Sequence, residues 1–504
     1  MKNYQRLILS ITTALFLFLS FKDLGFFAWF SFLPFFILVY RSNLRQTVLF
    51  SLISGLGFFL GVTYWMALLP VKYTWLLLAL LLSTIFIVFG IALYYIIHKI
   101  KQPYLRIFMM PAAWVVLEYL RSQTLMAFTI GILGYTQHNF LPLMHIVRYT
   151  GIYGISLIIV LFNAVIFETI IFSLKNRKII FKYLIIALSL MAVFIIYGVM
   201  SVNNNLNRVI REKGYNQINL AVVQANVLFG HKYSEKGIEI IPQPYSGSSY
   251  FKEDTELVVF SESALWGFMD ENKEFKDWAG EVLKDESFYM LIGQYIHNED
   301  YSEYYNSALL YDDDLTVRGR YDEIHPVPFS QYLPYPRVLK FLSFLDFSNY
   351  NLLLGRKYNY ITYPGKGRLG VNICYESTIP SIARKIKNNG AEALFLLSDD
   401  SSMLDSIAPW NHLIFSKVRA IENGCYMVHC GNSGISAIIS PNGDLIEKSE
   451  LLTSDVLYGS IYLIPEKTFY TRFGDLLILL YFGIVISLTV VYFVTINTKR
   501  KNKS

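Results

Sequence analysis

Residues 367–380 read GRLGVNICYESTIP, an apolar run that delivers one cysteine, Cys374, directly ahead of Tyr375 and Glu376. Runs of the same kind recur as INLAVVQAN (218–226), TELVVFSES (255–263), FYMLIGQYI (288–296), NSALLYD (306–312), EALFLLSD (392–399), CYMVHC (425–430) and ISAIIS (435–440). Several are continuously apolar, as expected of strands covered on both faces. Helical periodicity falls between them, at about 271–284, 379–388 and 408–423. In the last, Trp410, Leu413, Ile414, Val418 and Ile421 share a face, and Gly424 stands where a C-cap belongs. Asn442-Gly443 in SPNGDLIEK suits a type I′ hairpin turn. Strands alternating with helices give an α/β layered domain.

Outward from this domain the composition changes. Of 504 residues, 54% are hydrophobic and only 16% charged, too few for a soluble surface of ordinary size. The apolar excess lies in residues 1–201 and 473–496. Eight stretches approach the roughly 20 residues a spanning helix needs: about 5–21, 24–40, 47–69, 73–97, 107–121, 152–174, 180–201 and 473–496. The first lacks a small-residue cleavage site and continues into FKDLGFFAWF, so it reads as a retained helix. The expected division is a seven-helix bundle (1–201), an exported domain (202–472) and a last helix with a basic tail (473–504).

Charge orients the bundle. Taken as hairpins, the segments put Lys2, Arg6, Arg41, Arg45, Lys99, Lys101, Arg106, Lys175, Arg177, Lys178, Lys182 and the tail KRKNKS on one side. The other side's short loops hold only Lys22, Lys72, Arg121 and Arg148. The positive-inside rule makes the first side cytoplasmic, with both termini, and the large domain external. The net charge of +6 is mostly these anchors, which excludes it as an argument for nucleic acid. Few charges lie within the segments, Glu118 beside Arg121 being the main exception, which disfavours a channel or transporter.

Chemistry in layered α/β domains gathers at strand ends. Three places qualify: Glu262 after VVF, Cys374 with Glu376, and Asp399-Asp400 after LFLLS. Read alone, Glu262 is a turn carboxylate and Cys374 a buried thiol, the common state of a free cysteine. The aspartates read as turn or cap residues, since no histidine stands beside them at ligand spacing. Cys425 and Cys430 read as core residues, with a bridge between them left open. A thiol needs a base to become a nucleophile, and only a fold can bring Glu262 to Cys374.

Ordered motifs extend this reading. WFSFLPFFILV, PAAWVVLEYLRS and LGYTQHNFLPLMHIVRYTGIYGISLIIVLFNAVI lie in the apolar part; VVQANV, VVFSESA, YNSALL, YDEIHPVPFSQYLP, GVNICYESTIP, LLSDDSS, NHLIFSKVRAIENG and GNSGISAIISPNGDL follow in the domain. Together they resemble the apolipoprotein N-acyltransferases, a membrane-embedded branch of the nitrilase superfamily, over nearly the whole chain. The resemblance implies a multi-pass α-helical bundle of about eight helices carrying a nitrilase-like α-β-β-α sandwich on the periplasmic face of a bacterial inner membrane. It implies Glu262 as general base and Cys374 as nucleophile, with Tyr375 and Glu376 flanking it at the substrate. A phospholipid would be the acyl donor and the amino group of a lipoprotein N-terminus the acceptor, with no metal, no cofactor and a monomeric state.

Three departures stand against the family pattern. The motif Tyr-x-Lys-x-x-x-Val-Pro-Phe-Gly-Glu reads YDEIHPVPFSQ here, so Glu323 occupies the lysine position and Ser330-Gln331 the Gly-Glu. A Gly-Phe-Pro-Trp-like segment is AFTI (127–130), and an Asn-Asp-Ala-Trp-Phe-Gly-like loop is DDSSML (399–404). Losing one oxyanion donor costs on the order of 3–4 kcal/mol. Three readings follow: an acyltransferase with its cation elsewhere (Arg337, Lys340 and Lys357 are near in sequence), a changed acyl or amide transfer, or a catalytically impaired module that binds lipid or lipoprotein.

Overall fold

The computed structural model describes residues 1–501 except 69–73, 124–126, 174–176, 204–209, 211, 228–250, 264–276, 278–279, 281–287, 329 and 333–350. The described residues of the apolar stretches are mainly helical. The helices are α1 (Asn3–Ser20), α2 (Leu33–Tyr40), α3 (Leu44–Val62), α4 (Thr74–Lys99), α5 (Pro103–Arg121), α6 (Ile152–Ser173), α7 (Arg177–Asn203) and, at the far end, α10 (Leu476–Lys501). Among the described residues, four stretches are long and apolar enough to cross a membrane: Leu44–Val62, Trp75–Lys99, Ile152–Ile171 and Leu476–Thr495. The stretch expected at 24–40 is broken into short turns ahead of α2, whose first turn holds Pro34, a residue with no N–H to donate. Aromatic rings fill the bundle: Phe32 lies 4.6 Å from Trp114 and 5.5 Å from Phe89, centroid to centroid, and all three are buried.

Few charges enter this apolar interior, and those that do are partnered. Arg106 of α5 forks onto Glu168 of α6 at 2.7 and 2.5 Å. Glu118 accepts from Trp114 Nε1 and from the Leu133 backbone. Pairing is what lets such groups sit in an apolar interior.

The rest of the chain builds two stacked sheets. The strands are β1 (Gln217–Gln224), β2 (Leu257–Phe260), β3 (Tyr289–His297), β4 (Tyr304–Tyr311), β5 (Val317–Asp322), β6 (Leu352–Leu353), β7 (Tyr360–Tyr363), β8 (Gly367–Ile373), β9 (Ala393–Ser398), β10 (Met427–Gly431), β11 (Ala437–Ile439), β12 (Leu445–Lys448) and β13 (Asp455–Tyr462). One sheet runs β13-β1-β2-β3-β4-β5 with β6 on β4; the other runs β12-β11-β10-β9-β8-β7. Strands β1, β2 and β3 are mutually parallel, as are β8, β9 and β10. Leu220, Val222 and Val259 of the first sheet meet Val371, Ile373 and Leu396 of the second in one core. The alternate residues Ala221, Val223, Val258 and Phe260 enter a separate core on the first sheet's outer face. Apolar side chains on both faces explain the unbroken runs in the sequence. Helices α8 (Pro380–Asn388) and α9 (Ile407–Asn423) follow β8 and β9, and Gly424 ends α9 at φ +63°.

Four expectations are corrected or completed. Trp410 is 41% exposed beneath Lys448 rather than part of the buried face of α9. The β11–β12 hairpin exists, but positive φ falls on Gly443 and not on Asn442. Its loop is Pro441-Asn442-Gly443, closed by Ser440 and Asp444, so the turn is not type I′, which needs positive φ at both central residues. Cys425 and Cys430 are buried free thiols, which closes the question of a bridge. The helix expected at 271–284 lies almost wholly outside the described residues.

The sandwich is fastened to the bundle by polar contacts. Arg148 donates to Pro441 O and Asn442 Oδ1, Arg419 donates to the Tyr135 hydroxyl, and Glu422 accepts the Ile152 N–H at the start of α6.

Candidate active site

The C-terminal ends of β2, β8, β9 and β10 point the same way, and the polar residues that follow them converge. Glu262 stands two residues past β2, Cys374 directly past β8, and Asp399-Asp400 directly past β9. The turn geometry is specific. Cys374 adopts φ +45° and Ser263, next to Glu262, φ +47°, a left-handed region that non-glycine residues rarely occupy. Such strain persists where surrounding structure over-determines it. Here Cys374 begins the short helix Cys374–Thr378, which lifts its side chain off the strand.

Glu262 is 5% exposed, and its carboxylate is held at both oxygens. Oε1 accepts from Asn306 Nδ2 at 2.8 Å and Oε2 from the Asp399 backbone N–H at 3.0 Å. The same carboxylate stands beside the Cys374 thiol and acts on it electrostatically. Gly293 makes this placement possible, since a Cβ there would lie 2.7 Å from Glu262 Cα. Burial, then the charges of Glu262 and Asp400, push the thiol well above its ordinary value, and the Glu323 carboxyl lies in the same surroundings. At rest Cys374 is therefore a neutral thiol, with the Glu262 carboxylate beside it.

Glu323 lies in the same cluster. It follows β5, is 1% exposed, and its Oε2 accepts from Asn306 Nδ2 at 3.0 Å, so one amide group holds both carboxyls. Gln331, the second departure in the same motif, neighbours Glu323, although Glu323 Oε1 closes no hydrogen bond among the described residues. Of the proposed cation sources, Lys357 is exposed on the surface, while Arg337 and Lys340 lie outside the described residues.

Tyr375 and Glu376 sit deeper than a substrate-facing pair. Tyr375 donates its hydroxyl to Ala127 O at 2.5 Å, tying the Cys374 turn to the segment after α5. Glu376 has no exposure. It accepts from Ile373 N, Ile324 N, His325 N and the Tyr321 hydroxyl, which fixes the Cys374 turn against the segment after Glu323. Burial outweighs these bonds and moves its carboxyl up to about 7.

Three residues that sequence reading missed complete the cluster. Asn306 lay unmarked inside YNSALL; a buried carboxamide in an apolar strand was the available signal. His412 and His429 come to Asp400 from α9 and β10, with all three ligand-type atoms within 4.8 Å of one another. The reading of Asp400 as a plain turn residue thus fails, because its histidine partner is twelve residues on. His412 Nδ1 bonds Asp400 Oδ1 at 2.8 Å. Burial opposes the imidazolium, but Asp400 overrides it and raises His412, while Asp400 itself is lowered by that charge. Both His429 ring nitrogens face serine hydroxyls, Ser398 and Ser416, at 3.2 Å, and burial lowers it to about 3. With Asp400 engaged by His412 and both His429 nitrogens facing hydroxyls, the trio reads as a hydrogen-bonded network. Gly434 leaves room for it: a Cβ there would overlap Asp400 Oδ2 at 2.2 Å.

Comparison with known proteins agrees with this architecture in two parts. Residues 13–165 match the family model of the apolipoprotein N-acyltransferase N-terminal domain, and residues 217–463 that of the carbon-nitrogen hydrolases. An apolipoprotein N-acyltransferase of Geobacter metallireducens is 27% identical over 485 residues, covering 93% of this chain and 91% of that protein. Apolipoprotein N-acyltransferase 1 of Treponema denticola is 25% identical over 530 residues, covering 94% and 92%. The chain is thus similar to apolipoprotein N-acyltransferases over nearly its whole length and carries counterparts of both parts. Among solved structures, Saccharomyces cerevisiae Nit3, of the nitrilase superfamily, aligns with 49% of this chain and 90% of its own at a TM-score of 0.39 and 16% identity.

Proposed function

We propose that this protein moves a fatty acyl chain from a phospholipid, through a thioester on Cys374, to the amino group at the N-terminus of a lipoprotein. The observation that carries the reading is the Cys374 thiol on a strained turn with the buried carboxylate of Glu262 beside it. In the first half-reaction Glu262 takes the thiol proton as sulfur attacks the ester carbonyl. The tetrahedral adduct collapses to the thioester, and the departing lysophospholipid oxygen receives the proton from Glu262. In the second half the amine attacks the thioester, Glu262 takes a proton from nitrogen, and the thiolate leaves and regains that proton. Splitting the transfer in this way replaces one difficult step with two easier ones.

Tyr375 and Glu376 serve this chemistry by positioning the turn that carries the sulfur. Residues 1–201 and 473–504 form the membrane part and 202–472 the external part. The protein sits in a bacterial inner membrane as a monomer, with both termini cytoplasmic and the sandwich on the periplasmic face, where lipid and lipoprotein substrates meet it. The test is transfer of a labelled acyl chain from a phospholipid in mixed micelles to a diacylglyceryl-cysteine peptide. Amide formation on the peptide's α-amino group is expected. Hydrolysis of phospholipid without peptide acylation would reject the transferase reading.

A further inference from the structure

We infer that Glu323 acts as a neutral carboxylic acid whose O–H donates a hydrogen bond to the oxyanion of the Cys374 adduct. The inference rests on the acyl-transfer reading above and concerns how that site manages negative charge. Its starting point is Asn306. The two hydrogens of one amide nitrogen go to two different carboxyl groups, Glu262 Oε1 at 2.8 Å and Glu323 Oε2 at 3.0 Å. Carboxyls that share a single donor are too close for both to be ionised in a buried site.

The hydrogen bonds decide which of them is the anion. Glu262 receives a second donor, the Asp399 backbone N–H, and so is the better-stabilised carboxylate. Among the described residues Glu323 accepts one side-chain hydrogen bond, from Asn306, with Gln331 as a neighbour. Its other oxygen, Oε1, is buried and without a hydrogen-bond partner among the described residues. A proton placed there makes a donor that the described residues leave unused. Such a group is costly to bury, and it is relieved by an acceptor that arrives with substrate.

The donor is also held rigidly. The Glu323 backbone N–H donates to Asn306 O at 2.9 Å, and its carbonyl accepts the Gly355 N–H at 2.7 Å. A preorganised donor of this kind is what oxyanion stabilisation requires. The titratable groups facing Glu323 are Glu262 after β2, Cys374 and Glu376 after β8, and Tyr321 on β5; Asn306 and Gln331 supply the neutral contacts. Beyond Glu262 lies the Asp400–His412 pair. Burial, then the charges of Glu262 and Glu376, push Glu323 well above the usual carboxyl range, in keeping with the proton assigned to it. Glu323 donates a hydrogen bond and transfers no proton, so the bookkeeping of both half-reactions is unchanged.

The experiment follows single-turnover acylation of Cys374 by phospholipid across pH, which leaves the amine acceptor out. Glu323→Ala should slow acylation on the order of a hundred- to a thousandfold. Glu323→Gln, which keeps a neutral donor of the same shape, should remain within about tenfold of wild type. The wild-type rate should fall at alkaline pH as Glu323 ionises, and that limb should vanish in Glu323→Gln. Wild-type acylation by Glu323→Ala would overturn the inference while leaving the acyl transfer intact. So would a Glu323→Gln protein as slow as Glu323→Ala with an unchanged unfolding temperature. No acylation of the wild-type chain would remove the proposed reaction itself, and this inference with it.

Discussion

At the strand ends, Glu262 and Glu323 meet across one amide of Asn306, whereas on α9 Glu422 lies 3.2 Å from the guanidinium of Arg419. Both clusters are buried, and both face the cost of holding charge away from water. The α9 pair meets it with opposite charge, and its remaining contacts reach Tyr135 and Ile152 in the membrane part. The strand-end cluster gathers the carboxyls of Glu262, Asp400 and Glu323 around a thiol, with a cation only at His412 among the described residues. The first arrangement fixes two parts of the chain together. The second, on the inference drawn above, holds a neutral carboxyl whose O–H serves the substrate.

Substitutions at the strand ends should therefore abolish chemistry with little loss of fold, and substitutions on α9 the reverse. The largest effect is expected from Cys374→Ala: no acyl adduct and no transfer, with the unfolding temperature kept, as read by intact mass and thermal scans. Next comes Glu262→Gln, which keeps the Asn306 contact but cannot take the thiol proton. Its turnover should drop about 10²- to 10⁴-fold with KM for phospholipid little changed, measured by steady-state kinetics.

Arg419→Met strips the partner from buried Glu422 and should cost about 3–5 kcal/mol of stability in detergent. The folded fraction should still acylate Cys374 at the wild-type rate; a rate loss exceeding the loss of folded protein would erase the contrast between the clusters. The smallest effect belongs to Tyr375→Phe, which loses one hydrogen bond to Ala127 O. It should cost about 1 kcal/mol in denaturant melts and act on both regions at once, since it joins them.

What the sequence made legible follows from the same physics. The strands of the sandwich centre stood out because both of their faces are apolar. β5 and β13 did not, because they end the first sheet and carry exposed residues such as Val317, Arg318 and Asp455. Glu262 and Cys374 were visible as polar residues closing apolar runs, but their meeting depends on two sheets facing each other. His412 was hidden by helical spacing, since nothing in α9 announces a carboxylate on the loop before it. Glu323 was visible only as a departure from a motif; its company, Asn306 and Glu262, is a product of the fold.

The central claim is that Cys374, served by Glu262, carries the acyl chain between the two lipid substrates. Intact-mass spectrometry of the purified protein after incubation with phospholipid of one chain length tests it most directly. The predicted result is a single added acyl mass, mapped to the Cys374 peptide, released by hydroxylamine and absent from Cys374→Ala. An unmodified Cys374, or an acyl mass that survives hydroxylamine or maps to another residue, would contradict it.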